Sequence, residues 1–362
     1  MEPGEGRIIM HIYLIHTRYP HWCTHSGINQ FLKYIDIINY KIKVKQIPDN
    51  DEDFPVQNRL IRKYLRNIIQ KRGMKWYKLS DLTAEIKALA HCYFRKVDII
   101  HYLDGEHSAQ FLPGLLKRLR KIRPRVVATY HQPPEILDSL IIKDVIRKHD
   151  CITVVSPEQV SYFREFIDHD KIHLILHGID TDYFKPRDIP KTKGKFQCIT
   201  VGHYLRDFKA VRLVAEKLKD FHEIGFNVVS SQAGEVEGLK NITIYKNIDD
   251  AQLLKLYQQS DVLFLPLVQS TANNALLEGI ACGLPVVSTS LPSVKAYLPG
   301  SEAILIKNNN PEQLSEALLH LFHNQDERVT MGQKARKRAE ELAWHTIAPL
   351  YEAVYSKLAG NG

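Results

Sequence analysis

Short apolar runs alternate with segments of helical periodicity along most of this chain. The runs are six to nine residues long and are typical of strands in a buried parallel sheet. They are residues 7–15, 97–103, 126–131, 151–156, 196–201, 226–231, 241–248 and 261–268. This repeated strand and helix alternation predicts an α/β protein built on parallel sheets.

The clearest of these units is residues 261–290. The apolar run at 261–268 is followed by Asn273 and Asn274 at a helix N-cap, by a short helix over 275–281, and by Gly283 and Pro285, which end it. The loop before the helix therefore lies at the carboxyl end of a parallel strand, where open α/β sheets bind ligands. Free backbone N–H groups and the helix dipole favour a phosphate there.

Glu278 lies one turn into this predicted helix. A carboxylate at that position could hold the two hydroxyls of a ribose. The alternative is an ordinary solvated carboxylate on a helix surface, and the spacing alone does not choose between them.

Length and composition predict two domains and an ordinary soluble protein. The chain has 362 residues, with 44% hydrophobic and 25% charged residues. The polar segment 185–195 marks the boundary, which predicts domains at 1–188 and 189–344. Without an apolar run of membrane-spanning length or a secretion signal, we expect a cytoplasmic protein. Five scattered cysteines read as reduced, buried thiols.

The net charge is +8, and much of it is concentrated in two segments. Residues 59–78 carry eight Lys or Arg and no acid, with apolar residues at helical spacing, and a second basic run covers 117–125. One interpretation is peripheral contact with an anionic membrane, at the inner face. The other is a solvated helix face that packs its opposite side on the domain. Nucleic acid is not expected, because no recognition module accompanies the charge.

Histidines and acids follow the strands of the first half. Glu106 and His107 come after the strand at 97–103, and His131 ends the strand at 126–131, so all three are expected at one sheet edge. A loop after the first strand holds His16, His21, Cys23 and His25, but its spacing is not a recognised zinc pattern, so we expect no metal. Roles in substrate binding or packing are the favoured interpretation of these histidines. In the same loop, Ser26-Gly27 would let backbone amides approach a ligand.

The second half opens on a strand followed by a tight turn at Gly202. Arg206 and Lys209 follow this turn and are expected near the phosphate-binding helix. Two cations beside a helix N-terminus suit a pyrophosphate leaving group, because they offset the charge that grows as the bond to it breaks. The alternative for both is plain surface charge.

The stretch NALLEGIACGLPVVST resembles the nucleotide-sugar signature of the retaining GT-B glycosyltransferases of family four, the glycosyl transferases of group 1. The family usually has two glutamates separated by seven residues here. Glu278 matches the second, which in the family holds the ribose, while Ser270 stands where the first, a contact of the transferred sugar, is expected. Lys209 fits the family's lysine, and His203 replaces its arginine, for which Arg206 could substitute.

The resemblance extends to the first half, where it is weaker. The family's Asp-x-x-His strand is matched by Asp98 and His101, and its histidine beside the donor sugar by His131. Ser26-Gly27 loosely matches its glycine-rich turn. The resemblance implies two Rossmann-like domains facing across a cleft, with the last helix, from about 345 to 362, returning to the first domain.

The function that this resemblance implies is transfer of a sugar from a nucleoside diphosphate sugar, with UDP favoured over GDP, to an acceptor hydroxyl on a glycan, a lipid-linked or a small molecule. It also implies retention at the anomeric carbon, without a metal or other cofactor. The implied residues are His131, Arg206 and Lys209 for catalysis; Gly27, Gly202, Ser270, Asn273, Asn274 and Glu278 for the donor; and His25, Glu106 and His107 as candidates on the acceptor side. The missing first glutamate and the replaced arginine leave one alternative open, a non-catalytic GT-B protein that binds a nucleotide sugar or a partner glycosyltransferase. A second alternative is another GT-B chemistry, such as that of a sugar epimerase.

Overall fold

The structure is a computed structural model, and it describes residues 9–18, 24–119, 121–187 and 194–360. Contacts between residues divide the chain into two compact units. The first comprises Met1–Trp22, Phe31–Leu176 and Ile347–Gly362, and the second comprises Cys23–Gln30 and His177–Thr346. Each unit is built on one parallel sheet of six strands.

In the first unit the strands run in the order β2-β1-β3-β4-β5-β6, and every neighbouring pair is parallel. The strands are β1 Met10–Arg18, β2 Tyr40–Pro48, β3 Ile99–Tyr102, β4 Arg125–Tyr130, β5 Cys151–Val154 and β6 Ile172–Leu174. The helices are α1 Arg59–Arg72, α2 Leu79–Phe94, α3 Gly105–Ser108, α4 Leu112–Leu116, α5 Pro134–Leu140, α6 Lys143–Ile146 and α7 Pro157–Arg164, with 3-10 turns at Ile28–Lys33 and His169–Lys171. Strands β3 and β5 are buried along their whole length, as their apolar runs predict.

The second unit repeats this architecture with the strand order β12-β11-β10-β7-β8-β9, again all parallel. Its strands are β7 Phe196–Val201, β8 Ile224–Val229, β9 Ile242–Tyr245, β10 Val262–Leu265, β11 Val286–Thr289 and β12 Ala303–Ile306. Its helices are α8 Phe208–Lys217, α9 Asp250–Gln259, α10 Asn274–Ala281, α11 Pro292–Tyr297, α12 Pro311–His323 and α13 Gln325–Glu341, with 3-10 turns at Gly234–Val236 and Lys307–Asn309. The sheets and their flanking helices confirm the predicted fold class.

The last helix, α14 (Trp344–Gly360), begins in the second unit and packs on the first from Ile347 onward. The buried hydroxyl of Tyr355 lies 2.7 Å from Nδ1 of His101, whose Nε2 lies 2.8 Å from the Thr129 hydroxyl. Glu352 accepts a hydrogen bond from the backbone N–H of Asp36 at 2.7 Å. These contacts confirm the predicted return of the last helix. They also make His101 a residue of the core, where burial lowers its pKa to about 3.

Three features of the first unit differ from the sequence prediction. Strand β1 (Met10–Arg18) begins at Met10 rather than at residue 7, residues 7 and 8 lie outside the described part, and the strand includes His16, which was expected in the loop after it. Strand β6 was not predicted. Strand β2 was not predicted either, because it has no continuous apolar run; the lysines of YKIKVKQIP alternate with apolar residues, as suits a strand at the sheet edge.

The predicted domain boundary between residues 188 and 189 falls in 188–193, outside the described residues. Contacts place the change of unit earlier, between Leu176 and His177. The segment after it packs on the second unit: a Cβ added to Gly178 would lie 2.5 Å from the Trp344 ring, and Arg336 donates to the carbonyl of Phe184 at 3.0 Å.

Candidate functional site

The loop between β10 and α10 has the local structure that its sequence predicts. Asn273 has extended backbone angles and its side-chain oxygen accepts a hydrogen bond from the N–H of Leu276 at 3.2 Å, so it is the N-cap of α10. Asn274 is the first residue of the helix. The loop leaves the carboxyl end of β10, and the first N–H groups of α10 are available to an anion there.

Glu278 is buried, with 4% of its surface exposed, so it is not a solvated helix carboxylate. Its Oε1 accepts a hydrogen bond from the Ser26 hydroxyl at 2.5 Å, and its Oε2 accepts one from the Tyr257 hydroxyl at 2.8 Å. Burial raises the pKa of Glu278, while these two hydrogen bonds and the charge of Arg206 act in the opposite direction. The Glu278 carboxylate is therefore held in place by two hydroxyl donors.

Arg206 connects the Gly202 turn to the cap of α10. Gly202 has a φ of +87°, and a Cβ placed there would lie 3.0 Å from Nη2 of Arg206. The guanidinium donates to the carbonyls of Val201 at 2.8 Å and Tyr204 at 2.9 Å, and to the side-chain oxygen of Asn273 at 3.1 Å. Burial lowers its pKa to about 10, so the group stays charged at neutral pH.

The two loops at this end of the second sheet are also joined through the backbone. Asp207 donates its N–H to the carbonyl of Pro266 at 3.0 Å, and Val268 donates to the carbonyl of Leu205 at 3.0 Å. The buried Asn309 donates to the Asp207 carboxylate and to the carbonyl of Leu267, both at 2.9 Å. The Gly202 turn and the loop before α10 therefore form one hydrogen-bonded framework.

The remaining donor-side residues of the second unit differ in exposure. Lys209 is exposed on the first turn of α8, where its ammonium is accessible to a ligand. Ser270 is buried, and its hydroxyl donates to the carbonyl of Thr271 at 3.2 Å. The position of the family's first glutamate is thus occupied by a serine whose hydroxyl bonds to the backbone of its own loop.

Residues 24–27 belong to the second unit, although β1 just before them belongs to the first. Thr24 donates to Asp250 through its hydroxyl at 2.6 Å and its N–H at 2.9 Å. Nδ1 of His25 lies 3.2 Å from the Asp180 carboxylate, and its ring stacks on Tyr183 with centroids 3.5 Å apart. Ser26 contacts Glu278, and Gly27 has a φ of +97°. His25 therefore belongs to the second unit together with Ser26 and Glu278, while the other two acceptor-side candidates belong to the first.

Glu106, His107 and His131 do lie together, at the carboxyl ends of β3 and β4 in the first unit. Glu106 accepts the N–H of His131 at 3.0 Å, and Nε2 of His131 donates to the carbonyl of Leu103 at 2.7 Å. Burial raises the pKa of Glu106 to about 7, and its Oε2 is buried without a hydrogen-bond partner. Burial lowers the pKa of His107 to about 4, and its ring packs on Trp76.

Asp104 lies near His107 and His131 and bonds to residues at the end of β1. It accepts the N–H of Thr17 at 2.8 Å, and its carboxylate lies 3.2 Å from Nδ1 of His16. Burial would raise the pKa of Asp104, but the hydrogen bond with His16 and the neighbouring histidines hold it lower, at about 2. His21 and Cys23 lie outside the described residues, and within the described ranges no three His, Cys, Asp or Glu side chains come together to hold a metal ion.

Both basic segments have some of their charges paired with carboxylates. In the second, Lys117 and Arg125 both lie near the Asp150 carboxylate, at 2.7 and 3.6 Å. In the first, Arg66 pairs with Asp51, and Lys78 lies 3.0 Å from Asp49. Residues 59–72 of the first segment form α1, which exposes the apolar side chains of Leu60 and Tyr64. In the part of the chain that the structure describes, no helix is both long enough and apolar enough to cross a bilayer.

Sequence reasoning missed Tyr257 and Asn309, and it saw Ser26 only as part of a turn. Tyr257 lies in the amphipathic helix α9, where a buried tyrosine looks like any core residue. Asn309 has a φ of +50°, and the asparagine run at 308–310 was the available signal, since asparagine tolerates that conformation.

Two sequence models of known families match this chain. The model of the glycosyl transferases group 1 matches residues 195–324, and that of Glycosyltransferase Family 4 matches residues 44–183. One similar sequence is a D-inositol 3-phosphate glycosyltransferase of Corynebacterium diphtheriae, 23% identical over 329 residues, which cover 78% of this chain and 75% of that protein.

Solved structures match over nearly the whole chain. Sucrose-phosphate synthase of Thermosynechococcus elongatus matches with a TM-score of 0.71 and 15% identity, over 98% of this chain and 100% of that one. HepE of Anabaena, solved in complex with UDP and glucose, matches with a TM-score of 0.63 and 12% identity, over 96% of this chain and 99% of that one. At these identities the likeness shows the fold.

Proposed function

Because this chain belongs to the group 1 glycosyltransferases of family four and has their GT-B fold, we propose that it transfers a sugar from a UDP-sugar to an acceptor hydroxyl. The observation that carries the proposal is the buried Glu278 carboxylate, one turn after the Asn273 cap to which Arg206 donates. UDP is preferred over GDP because a structural neighbour binds UDP. The acceptor is a hydroxyl of a glycan, a lipid-linked sugar or a small molecule.

The donor's nucleotide has a specific set of ligands in this proposal. Glu278 holds the two ribose hydroxyls, and the backbone amides of Asn273 and Asn274 meet the phosphates at the N-terminus of α10. Arg206 and Lys209 offset the negative charge that grows on the departing UDP. These cations supply the stabilisation that a metal ion provides in other enzymes, which is why we propose a metal-independent reaction.

The sugar end of the donor has fewer candidate ligands. His131 contacts the sugar, as the family's histidine does, and Ser270 forms part of its pocket. The Gly27 and Gly202 turns let the backbone approach the ligand, since both have positive φ. Glu106 and His107 lie beside His131 and are the candidates for binding the acceptor. We propose retention at the anomeric carbon, with the departing phosphate taking the acceptor's proton.

The proposal is tested by thermal shift and calorimetry with UDP, GDP, ADP and their common sugar conjugates. A ligand at 100 times its dissociation constant stabilises a protein by about 2.7 kcal/mol, which such a scan detects. We expect stabilisation by UDP that is lost in Glu278→Ala and kept in Glu237→Ala, a change of an exposed carboxylate in the same unit. Stabilisation by GDP alone would contradict the choice of base, and no response to any nucleotide would contradict the donor site.

We also propose that α1 contacts an anionic membrane surface. Leu60, Ile61 and Tyr64 are exposed by 78%, 46% and 66%, while Ile69 is buried on the other side of the helix. The exposed apolar strip is flanked by the exposed cations Lys63 and Lys71, and the helix has no acid. Lipid headgroups attract such cations, and the acyl region takes up the apolar strip.

Sedimentation with vesicles tests this contact. We expect binding to phosphatidylglycerol vesicles at low salt, release at high salt, and no binding to phosphatidylcholine alone. The double substitution Leu60→Ser and Tyr64→Ser should abolish binding, whereas Lys240→Glu, at an exposed lysine of the second unit, should leave most of it. Equal binding to both kinds of vesicle would contradict the proposal.

A further inference from the structure

Two hydroxyl groups donate hydrogen bonds to the carboxylate of Glu278, one to each oxygen. The Ser26 hydroxyl lies 2.5 Å from Oε1 and the Tyr257 hydroxyl 2.8 Å from Oε2. Ser26 is 5% exposed and Tyr257 is fully buried, so neither contact is a chance meeting of surface side chains. A buried carboxylate needs such donors, because an unpartnered charge in the interior is costly.

The Ser26 contact is the last of three that hold one short segment. Thr24 is bound to Asp250, His25 lies against Asp180 and stacks on Tyr183, and Ser26 meets Glu278. Three successive side chains are thus each held by a different carboxylate of the second unit. The segment ends at Gly27, whose φ of +97° lets the chain turn away immediately.

The two hydroxyl donors are not equivalent. Tyr257 projects from α9, and its hydroxyl also lies 3.4 Å from the carbonyl of Ala275, so it is fixed by the helices on both sides. Ser26 lies on a segment outside regular secondary structure. Side-chain contacts hold this segment, and one of them, between Thr24 and Asp250, is exposed to solvent. Of the two, the serine is the donor that can leave Glu278 without disturbing a helix.

A ribose diol held by a carboxylate uses both of its oxygens. Each carboxylate oxygen has two acceptor sites, so Oε2 can keep the Tyr257 hydroxyl and accept a second donor. At Oε1 the Ser26 hydroxyl fills the space beside the oxygen, since Ser26 and Glu278 are only 5% and 4% exposed. We propose that the Ser26 hydroxyl takes the place of a ribose hydroxyl in the free protein, that the donor nucleotide displaces it from Glu278, and that Tyr257 stays in place as a positioning residue. This inference rests on the proposed role of Glu278 in holding the ribose.

The consequence is that Ser26 lowers the affinity for the nucleotide. A ligand that must first displace an internal partner binds only the fraction of molecules in which that partner has left. Removing the serine hydroxyl removes the competitor, so the substitution should strengthen binding, which is the opposite of what loss of a direct ligand contact does. Removing the tyrosine hydroxyl should weaken binding, because Glu278 loses the hydrogen bond that orients it.

The test is calorimetric titration of UDP into the full chain and its variants. For Ser26→Ala we expect UDP to bind roughly ten- to a hundredfold more tightly, since one hydrogen bond to a charged group no longer competes. Ser26→Thr, which keeps the hydroxyl, should bind as the wild type does. Thr24→Val, which weakens the hold on the segment without touching Glu278, should also tighten binding, by a smaller factor, and Tyr257→Phe should weaken it about tenfold.

A melting curve without ligand accompanies each titration, and a lower melting temperature of free Ser26→Ala is expected, because it loses the contact. Suppose that the wild type binds UDP and that a folded Ser26→Ala variant binds it equally well or less tightly. This result would contradict the proposed displacement of Ser26, but it would not contradict the proposed function. Absence of UDP binding in the wild type and in all variants would overturn both. Uridine diphosphate without its 2′-hydroxyl is the second probe, and we expect Ser26→Ala to strengthen its binding less than that of UDP.

Discussion

Replacing Glu278 by glutamine should separate stability from function. The substitution keeps the shape of the side chain and removes its charge. Glutamine can satisfy the same neighbours: its oxygen accepts from Ser26, and its amide donates to Tyr257, whose own hydrogen then turns to the Ala275 carbonyl, 3.4 Å away. No buried polar atom of this group loses its partner, so the variant should fold.

Binding of UDP should suffer, because the ribose loses a charged acceptor. Hydrogen bonds to a charged group contribute about 1.5–3 kcal/mol and neutral ones about 0.5–1.5 kcal/mol, so each of two bonds weakens by about 1 kcal/mol. The sum of about 2 kcal/mol corresponds to a roughly thirtyfold higher dissociation constant for UDP. Calorimetry with UDP measures this change directly, and Glu237→Gln is the matched control at an exposed carboxylate.

Although Glu278→Gln should weaken UDP binding, it should raise the free energy of unfolding at alkaline pH. Burial raises the pKa of Glu278 in the folded protein above its ordinary value of 4.5. The folded state therefore binds this proton more tightly than the unfolded state, and the resulting stability is complete at low pH and lost as pH rises through the folded pKa. Glutamine cannot lose a proton, so the variant should match the wild type near pH 4 and exceed its free energy of unfolding at pH 8.

Chemical denaturation at these two pH values tests the reasoning, together with the UDP titration. A variant that is less stable than the wild type at pH 8 would show that the charged carboxylate stabilises the fold, contrary to the argument from burial. A variant that binds UDP as well as the wild type does would show that Glu278 does not hold the ribose.

Three further predictions concern other parts of the two units. Gly202→Ala places a Cβ at a φ of +87° and 3.0 Å from the Arg206 guanidinium, so it should lower the free energy of unfolding by about 1–2 kcal/mol and weaken UDP binding, as denaturation and calorimetry will show. Glu106→Gln should reduce a pH dependence: part of the stability that the wild type loses as pH rises from about 5 towards the folded pKa of Glu106, about 7, comes from this carboxyl, so the variant should lose less in denaturation curves across that range. Tyr355→Phe removes the hydroxyl 2.7 Å from the buried His101 and should cost about 1–2 kcal/mol in unfolding, with UDP binding unchanged.

Local features of the site followed from the sequence. The N-cap at Asn273 and the short helix after it depend on residues that are neighbours in the chain, so spacing was enough to predict them. The two sheets followed from the apolar runs for the same reason. Strand β2 was missed because the prediction relied on continuous apolar runs, whereas its lysines alternate with apolar residues, which is the pattern of a half-exposed strand.

Contacts between distant residues could not be predicted in this way. Ser26 and Glu278 are 252 residues apart, and no local pattern links them. The burial of Glu278 under Tyr257 depends on how α9 and α10 pack, which the sequence of either helix leaves open. His25 was expected on the acceptor side together with Glu106 and His107, and no local pattern indicates that contacts assign its segment to the second unit.

Release of UDP tests the central claim, sugar transfer from a UDP-sugar, most directly. The protein is incubated with UDP-glucose, UDP-galactose or UDP-N-acetylglucosamine and a mixture of sugar, lipid and small-molecule alcohols. The UDP released by the wild type is compared with that released by Arg206→Ala. We predict UDP release by the wild type from at least one donor, lowered by about a hundredfold or more in the variant, because the departing diphosphate loses the positive charge of Arg206. UDP release no faster than without protein, or equally fast in Arg206→Ala, would contradict the account.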